Sequence, residues 1–166
     1  AVLLLGAGGG YGYLYYTGYF KPHVEVTMAD GSVSKLKAED VYAELSAGAN
    51  TFYPGTFINN IDVGGMTVEQ ATEAVNKGLE DADSPVNVNY NLKLDGKVYP
   101  LDFSDAKFEY NTKEVVEEAF AQHRALDETD YQSIIDVFNY KDQLKNNPVN
   151  NETSYYVSID GVSDKV

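Results

Sequence analysis

The chain contains no cysteine among its 166 residues. That absence removes disulfides, thiolate metal ligands and cysteine nucleophiles together. Tryptophan is absent too, so aromatic recognition must run on 14 tyrosines and 7 phenylalanines. The only histidines, His23 and His123, stand alone, without the spacing of a helical zinc site. Basic residues are scarce: 12 Lys and Arg against 26 Asp and Glu leave a formal net charge of −14. Such a surface repels phosphate backbones, so nucleic acid is not an expected partner. It also opposes adhesion to anionic membranes or anionic wall polymers by charge alone. A glycan is less affected, because sugar recognition runs on aromatic faces and hydrogen bonds.

Other chemistries fail for want of their motifs. Asp81, Asp83 and Ser84 lie close together but lack the central Gly and terminal Glu of an EF-hand. Gly6–Gly10 superficially resembles a phosphate loop, yet no Lys-Ser/Thr follows it. No serine occupies a nucleophile elbow. With 26 carboxylates, acidic pairs are easy to find and carry little meaning. These gaps predict a non-enzyme with no catalytic residue, no cofactor and no metal. Asp62 is the carboxylate to inspect, and its expected role is a turn carboxylate bonding its own backbone.

What is present begins with an uncharged run over residues 1–20, ending at Lys21. About 20 such residues suffice to cross a bilayer. Tyr11, Tyr13, Tyr15, Tyr16, Tyr19 and Phe20 crowd its end like an interfacial aromatic belt. We read residues 1–20 as a truncated single-pass transmembrane anchor with the globular part extracellular. A trimmed signal peptide and a buried Gly/Tyr-rich strand are the other readings. Residues 21–51 read as a connector, with a hairpin around Asp30-Gly31 and a short helix over Ala38–Ser46.

Residues 52–166 read as an α+β domain, helices packed on a small, mostly antiparallel sheet, cut at its C-terminus. Val86, Val88, Tyr90, Leu92 and Leu94 alternate with polar residues as a half-buried strand, and Asp95-Gly96 marks a hairpin turn. Asn111 with Glu114 predicts a capped helix whose apolar face is Val115, Val116, Ala119, Phe120 and Ala121. A further helix is expected from Thr129 to about Lys145. Tyr155, Val157 and Ile159 make a final strand with no obvious partner.

The densest information lies in Phe52–Leu79, FYPGTFINNIDVGGMTVEQATEAVNKGL. An aromatic pair enters Pro54-Gly55-Thr56. Phe57, Ile58, Ile61 and Val63 follow as a short strand pattern around Asn59-Asn60, then Gly64-Gly65. Thr67 and Gln70 have the spacing of a reciprocal capping box. Ala71, Ala74, Val75 and Leu79 share one helical face.

This order resembles the peptidoglycan-binding domain family found in bacterial L,D-transpeptidases, outside their catalytic domain, and in vancomycin-resistance accessory W-type proteins. The family's Pro-Gly-Thr is Pro54-Gly55-Thr56, and its Ile-Asn-Gly-hydrophobic-Asp-Val is Ile58-Asn59-Asn60-Ile61-Asp62-Val63. Its Asn-Gly is therefore Asn59-Asn60 here, and Asn tolerates the left-handed backbone that a turn demands. The likeness continues to Tyr110-Asn111, Ala119 and Arg124, with His123 where the family commonly has Gly. It covers roughly half of the chain.

The resemblance implies a non-catalytic extracellular module of a membrane-anchored bacterial cell-envelope protein, with peptidoglycan of the cell wall as partner. Alternatives are the N-terminal portion of an L,D-transpeptidase whose catalytic domain is absent, and a structural spacer. Candidate ligand-binding residues are Tyr53, Pro54, Gly55, Thr56, Asn59, Asn60 and Asp62, with Tyr53 expected to be exposed beside the loop. Phe52, Tyr53, Tyr90, Tyr99 and Tyr110 offer either a sugar-stacking face or ordinary strand packing.

Overall fold

The structure, a computed structural model, describes residues 18–80, 91–100 and 107–158. Strands β1 (His23–Thr27) and β2 (Val33–Lys37) form an antiparallel hairpin with Thr27 opposite Val33. Alternation turns Val24 and Val26 inward and Glu25 outward. Helix α1 (Ala38–Ala47) follows at once and buries Ala38, Val41 and Leu45 along one face. Helix α4 (Tyr131–Gln143) covers both, with Ile134, Val137 and Phe138 inward. The Asp130 carboxylate caps it by accepting from the Gln132 amide at 3.0 Å. Its polar face holds the end of β1. Asn139 Oδ1 accepts from the Thr27 amide at 2.7 Å, Asp142 accepts from the Ala29 amide, and Asn146 donates to the Ala29 carbonyl.

The hairpin and short helix expected in 21–51 are therefore present, but these residues are no mere connector. They share a core with α4, nearly a hundred residues away in sequence.

A second layer begins with β3 (Thr56–Ile58) and β4 (Ile61–Asp62), joined by Asn59-Asn60 at φ 50° and 63°. Two positive φ values make the tight turn that suits strand twist. Helix α2 (Val68–Glu80) then starts on the expected capping box. The Thr67 amide donates to Gln70 Oε1 at 3.0 Å, and the Gln70 amide donates to Thr67 Oγ1 at 3.3 Å. Ala71 and Val75 are fully buried, while Ala74 and Leu79 are half-buried. Helix α3 (Thr112–Ala121) packs on α2 through Val116 and Ala119. Ala121, expected on that apolar face, is exposed.

The remaining strands are β5 (Asn91–Leu94), β6 (Lys97–Pro100), β7 (Lys107–Tyr110), β8 (Val149–Asn151) and β9 (Tyr155–Ser158). The architecture is α+β with mostly antiparallel pairing, but the strands form four small sheets rather than one. Among the described residues these are β1-β2, β4-β3-β8, β5-β6 and β7-β9, and only β3-β8 is parallel. The last strand does have a partner: Tyr155 lies opposite Tyr110. Asn111 extends that ladder instead of capping α3. Its amide donates to the Ser154 carbonyl at 3.1 Å, and its Oδ1 accepts from the Ser154 amide at 2.6 Å.

The β5-β6 hairpin turns at Asp95-Gly96, both at positive φ, as the sequence predicts. Its expected half-burial does not occur over 91–100, where every residue is exposed, Leu92 and Leu94 included. Alternation signals a strand but does not supply a covering layer. Among the described residues no helix is long and apolar enough to cross a membrane. The expected anchor falls mostly on residues 1–17, outside the described residues, and its end, Tyr19 and Phe20, is exposed.

Two apolar clusters result. The first joins β1, α1, α4, Tyr53 and Leu144; the second joins Phe52, Ile58, Val63, α2 and α3. The chain crosses between them at Phe52-Tyr53, where extended neighbours point to opposite sides.

Candidate functional site

The Pro54-Gly55-Thr56 loop sits at that crossing, and its residues are held by both clusters. Tyr53, expected to be exposed, is 7 % exposed and belongs to the first core. Its ring lies under the Arg124 guanidinium, whose carbon is 4.1 Å from the ring centroid. The same guanidinium stands 3.8 Å from the Phe120 centroid. Arg124 also donates to the carbonyls of Ala49 at 3.1 Å, Thr51 at 2.6 Å and Phe120. One side chain thus bridges an aromatic ring from each cluster and ties down the segment that leads into the loop.

Burial pushes the Tyr53 phenol above its ordinary pKa, against the pull of Arg124. Burial raises Tyr140 likewise, with Tyr53 adding to the shift. Burial lowers the Arg124 pKa, and the two phenols oppose that shift. His123 adopts φ 52° and stacks on Tyr140 with centroids 4.0 Å apart. The left-handed backbone is where a glycine is at ease, and His123 adopts it without being one.

Gly55 is a forced choice. Its φ is 92°, and a Cβ there would lie 2.2 Å from the Leu144 carbonyl oxygen. The carbonyl of Gly55 accepts from the Val149 amide at 3.0 Å, which leads β8 into its parallel pairing with β3. Thr56 is buried at the start of β3. Asn59 is engaged by the chain after β8: its Nδ2 donates to Thr153 Oγ1 at 2.8 Å, and its Oδ1 accepts from the Thr153 amide at 2.9 Å. The Asn60 amide donates to Asn150 Oδ1 at 2.8 Å. Asp62 Oδ1 accepts from the Gly64 amide at 2.9 Å, the turn role expected of it.

Of the seven candidate residues, Tyr53 and Thr56 are thus core, and Gly55 and Asn59 are occupied in packing and pairing. Pro54, Asn60 and Asp62 are exposed. Pro54 and Asp62 flank Gly64, whose own Cβ position lies 3.0 Å from Pro54 Cα and 3.1 Å from Asp62 Oδ1. The five aromatic candidates do not make one face. Phe52 and Tyr53 lie in different cores, Tyr99 is exposed on β6, Tyr110 is on β7, and Tyr90 falls outside the described residues. Asp81, Asp83 and Ser84 also fall outside them. Among the described residues no three His, Asp or Glu side chains are grouped to hold a metal ion.

Sequence reasoning missed the importance of Arg124, to which it gives no task beyond its place at the end of the resemblance. The signal was there in the tolerance of a non-glycine residue for positive φ, which occurs at a few per cent of positions. It also missed an open groove of about 830 Å³ between α2 and α3, lined by residues including Val68, Thr72, Glu73, Asn76 and Glu117. No family model, no curated protein and no solved structure matches this chain.

Proposed function

We propose that this chain is a non-catalytic extracellular module of a membrane-anchored bacterial cell-envelope protein, and that it contacts peptidoglycan. The observation that carries the reading is the Phe52–Leu79 motif. Its support is that the motif's residues have physical tasks. Asn59-Asn60 make the turn, Thr67 and Gln70 cap the helix, and Gly55 admits Leu144. The net charge of −14 suits an uncharged glycan better than a polyanion. Among the seven candidate residues, Pro54, Asn60 and Asp62 are the ones left available to a partner. A cysteine nucleophile is absent from these 166 residues. Any L,D-transpeptidase activity would belong to another part of a longer protein.

One observation favours a second reading, a spacer that holds another domain away from the membrane. Tyr53, Gly55 and Thr56 serve packing, which is what a purely structural loop requires. A pull-down with purified sacculi separates the two. Peptidoglycan contact predicts that the folded chain leaves the supernatant with the sacculi and returns when the glycan is digested. A spacer stays in the supernatant throughout.

A further inference from the structure

A small hollow lies away from the motif, where the chain enters β1, at the start of α1 and in the turn before α4. Lys21, Glu39, Tyr42, Glu128 and Tyr131 are among the residues that line it, and its volume is about 190 Å³. That is smaller than the ~300–1,000 Å³ of drug-sized pockets, so it suits one small group. Most of its polar groups already have partners. The Ala38 amide, at the start of α1, donates to the Pro22 carbonyl at 2.9 Å. The Gln132 amide, at the start of α4, donates to Asp130 Oδ1 at 3.0 Å. Each helix N-terminus, which would favour an anion, thus has an acceptor of its own. Lys21 Nζ donates to Glu39 Oε1 at 2.7 Å and to Oε2 at 2.9 Å, so that ammonium and that carboxylate cancel. Glu128 is different. Its carboxylate has no hydrogen-bond or ion-pair partner among the described residues. The turn that carries it is fixed from Asp127, whose Oδ1 accepts from the Thr129 amide at 2.8 Å and whose amide donates to Ser133 Oγ at 2.9 Å. One uncompensated negative charge remains in the hollow.

Two tyrosines accompany that charge. Tyr42 lies one helical turn beyond Glu39 on α1 and is half-buried, and Tyr131 opens α4 and is 45 % exposed. The face of a tyrosine ring attracts a cation. A carboxylate beside two such rings therefore selects by sign. An anion meets Glu128 on a chain of net charge −14. A neutral solute leaves the Glu128 charge uncompensated. A primary ammonium is compact and strongly hydrated, and its N–H groups compete with Lys21 for the same carboxylates. A quaternary ammonium has no N–H to place. Its charge is spread over methyl groups that rest on aromatic faces, and a single carboxylate balances it.

We infer that this hollow binds a quaternary ammonium group, with Glu128 as its counter-charge and the rings of Tyr42 and Tyr131 against its methyl groups.

The test is a two-dimensional NMR titration of the chain at low ionic strength with tetramethylammonium, choline and methylammonium in turn. Tetramethylammonium and choline should give saturable shifts at the amides of Glu39, Tyr42, Glu128 and Tyr131. Added sodium chloride should weaken them, because the attraction is largely one of charge. Methylammonium should bind more weakly than either. Affinity for tetramethylammonium should be at least about three-fold lower in Glu128→Gln and in Tyr131→Ala, the scale of one exposed charge or cation–π contact. Tyr131→Phe keeps the aromatic face and should bind as the parent does. Glu128 and Tyr131 are both exposed, so melting curves of these variants should match the parent chain. Phosphatidylcholine vesicles carry the same cation beside a phosphate, which an acidic chain repels, and should leave these amides unmoved. The site falls if tetramethylammonium gives no saturable shift here or shifts only another surface. It falls as well if methylammonium binds as tightly, if salt has no effect, or if Glu128→Gln and Tyr131→Ala bind as the parent does. A response to the vesicles without one to choline also overturns it.

Discussion

The two cores differ in how far apart in sequence their parts lie. The second is largely local: Phe52, Ile58, Val63, Ala71 and Val75 fall within one strand-turn-helix unit, and α3 closes over it. The first joins Val24, Val26, Val41 and Leu45 to Ile134, Val137 and Phe138, across the whole of the other unit. Closing so long a loop carries an entropic cost that grows slowly with length, so the packing of α4 must offset it. The first core accordingly has extra cross-links. Asn139, Asp142 and Asn146 bond the end of β1, and Lys141 pairs with Glu44 of α1 at 2.9 Å. The local core has its turn and its capping box instead. Recognisable motifs therefore mark the local core, while the long-range core has no short pattern of its own. Tyr53 and Thr56 of the motif loop are buried because the loop is the joint between the two.

Breaking the joint should have the largest effect. Gly55→Ala imposes a side chain at positive φ against the Leu144 carbonyl. A destabilisation of about 3–5 kcal/mol is expected, from backbone strain and steric clash together. In hydrogen exchange both cores should lose protection at once. Protection lost in one core alone would mean that the two are independent units.

Arg124→Ala comes next. It leaves three carbonyls without their donor and removes the cation from between Tyr53 and Phe120. About 2–4 kcal/mol should be lost in chemical denaturation. Arg124→Lys should recover little of it, because an ammonium lacks the planar fork that reaches several acceptors. Full recovery by lysine would show that charge alone, and not the geometry of the clamp, joins the cores.

Alkaline pH reads the same joint without mutation. The Tyr53 and Tyr140 phenols have pKa values raised above 10.0 by burial in the folded state. In the unfolded chain they ionise at the ordinary value, so above it the unfolded state binds fewer protons than the folded state. Stability is then undiminished below about pH 10 and falls as pH rises through the folded values. Melting temperatures measured from about pH 9 to pH 11 should decline less steeply in Tyr53→Phe than in the parent. An unchanged slope would mean that Tyr53 ionises as if exposed.

A matched pair of small changes sharpens the contrast. Thr67→Ala removes the cap of α2, and Asn139→Ala removes the acceptor for the Thr27 amide. Each should cost about 1 kcal/mol. Site-resolved exchange should place the first loss mainly in α2 and the second mainly in β1. Identical, global patterns from both would make the molecule one cooperative unit and reduce the two cores to a geometric description.

Much of the local structure was legible in advance. The turn at Asn59-Asn60, the cap of α2, the Asp95-Gly96 turn and the Asp62 turn all follow from side chains acting on backbone within a few residues. The α+β class and the helix over 131–143 follow from periodicity. The candidate site was legible only in part. Its residues were identified as important, but Tyr53 was assigned to the surface because a Pro-Gly loop usually lies there. Nothing in Phe52–Thr56 indicates that Arg124 and Leu144, both far downstream in the chain, come to rest on it. Asn111 shows the same limit. Its spacing to Glu114 fits a capping box, yet Ser154, distant in sequence, takes its side chain instead.

By itself, then, the sequence determined most of the elements, several of their turns and the chemistries excluded by missing cysteine and scarce histidine. Those properties depend on interactions spanning a few residues, or on atoms the chain does not possess. Only the tertiary structure decided that residues 21–51 share a core with α4, that β9 pairs with β7, that the strands split into four sheets, and that the motif loop is a joint. Each of these rests on contacts between segments far apart in the chain. The same apolar alternation serves a covered strand such as β1 and an uncovered one such as β5, and the difference is made by what packs against it.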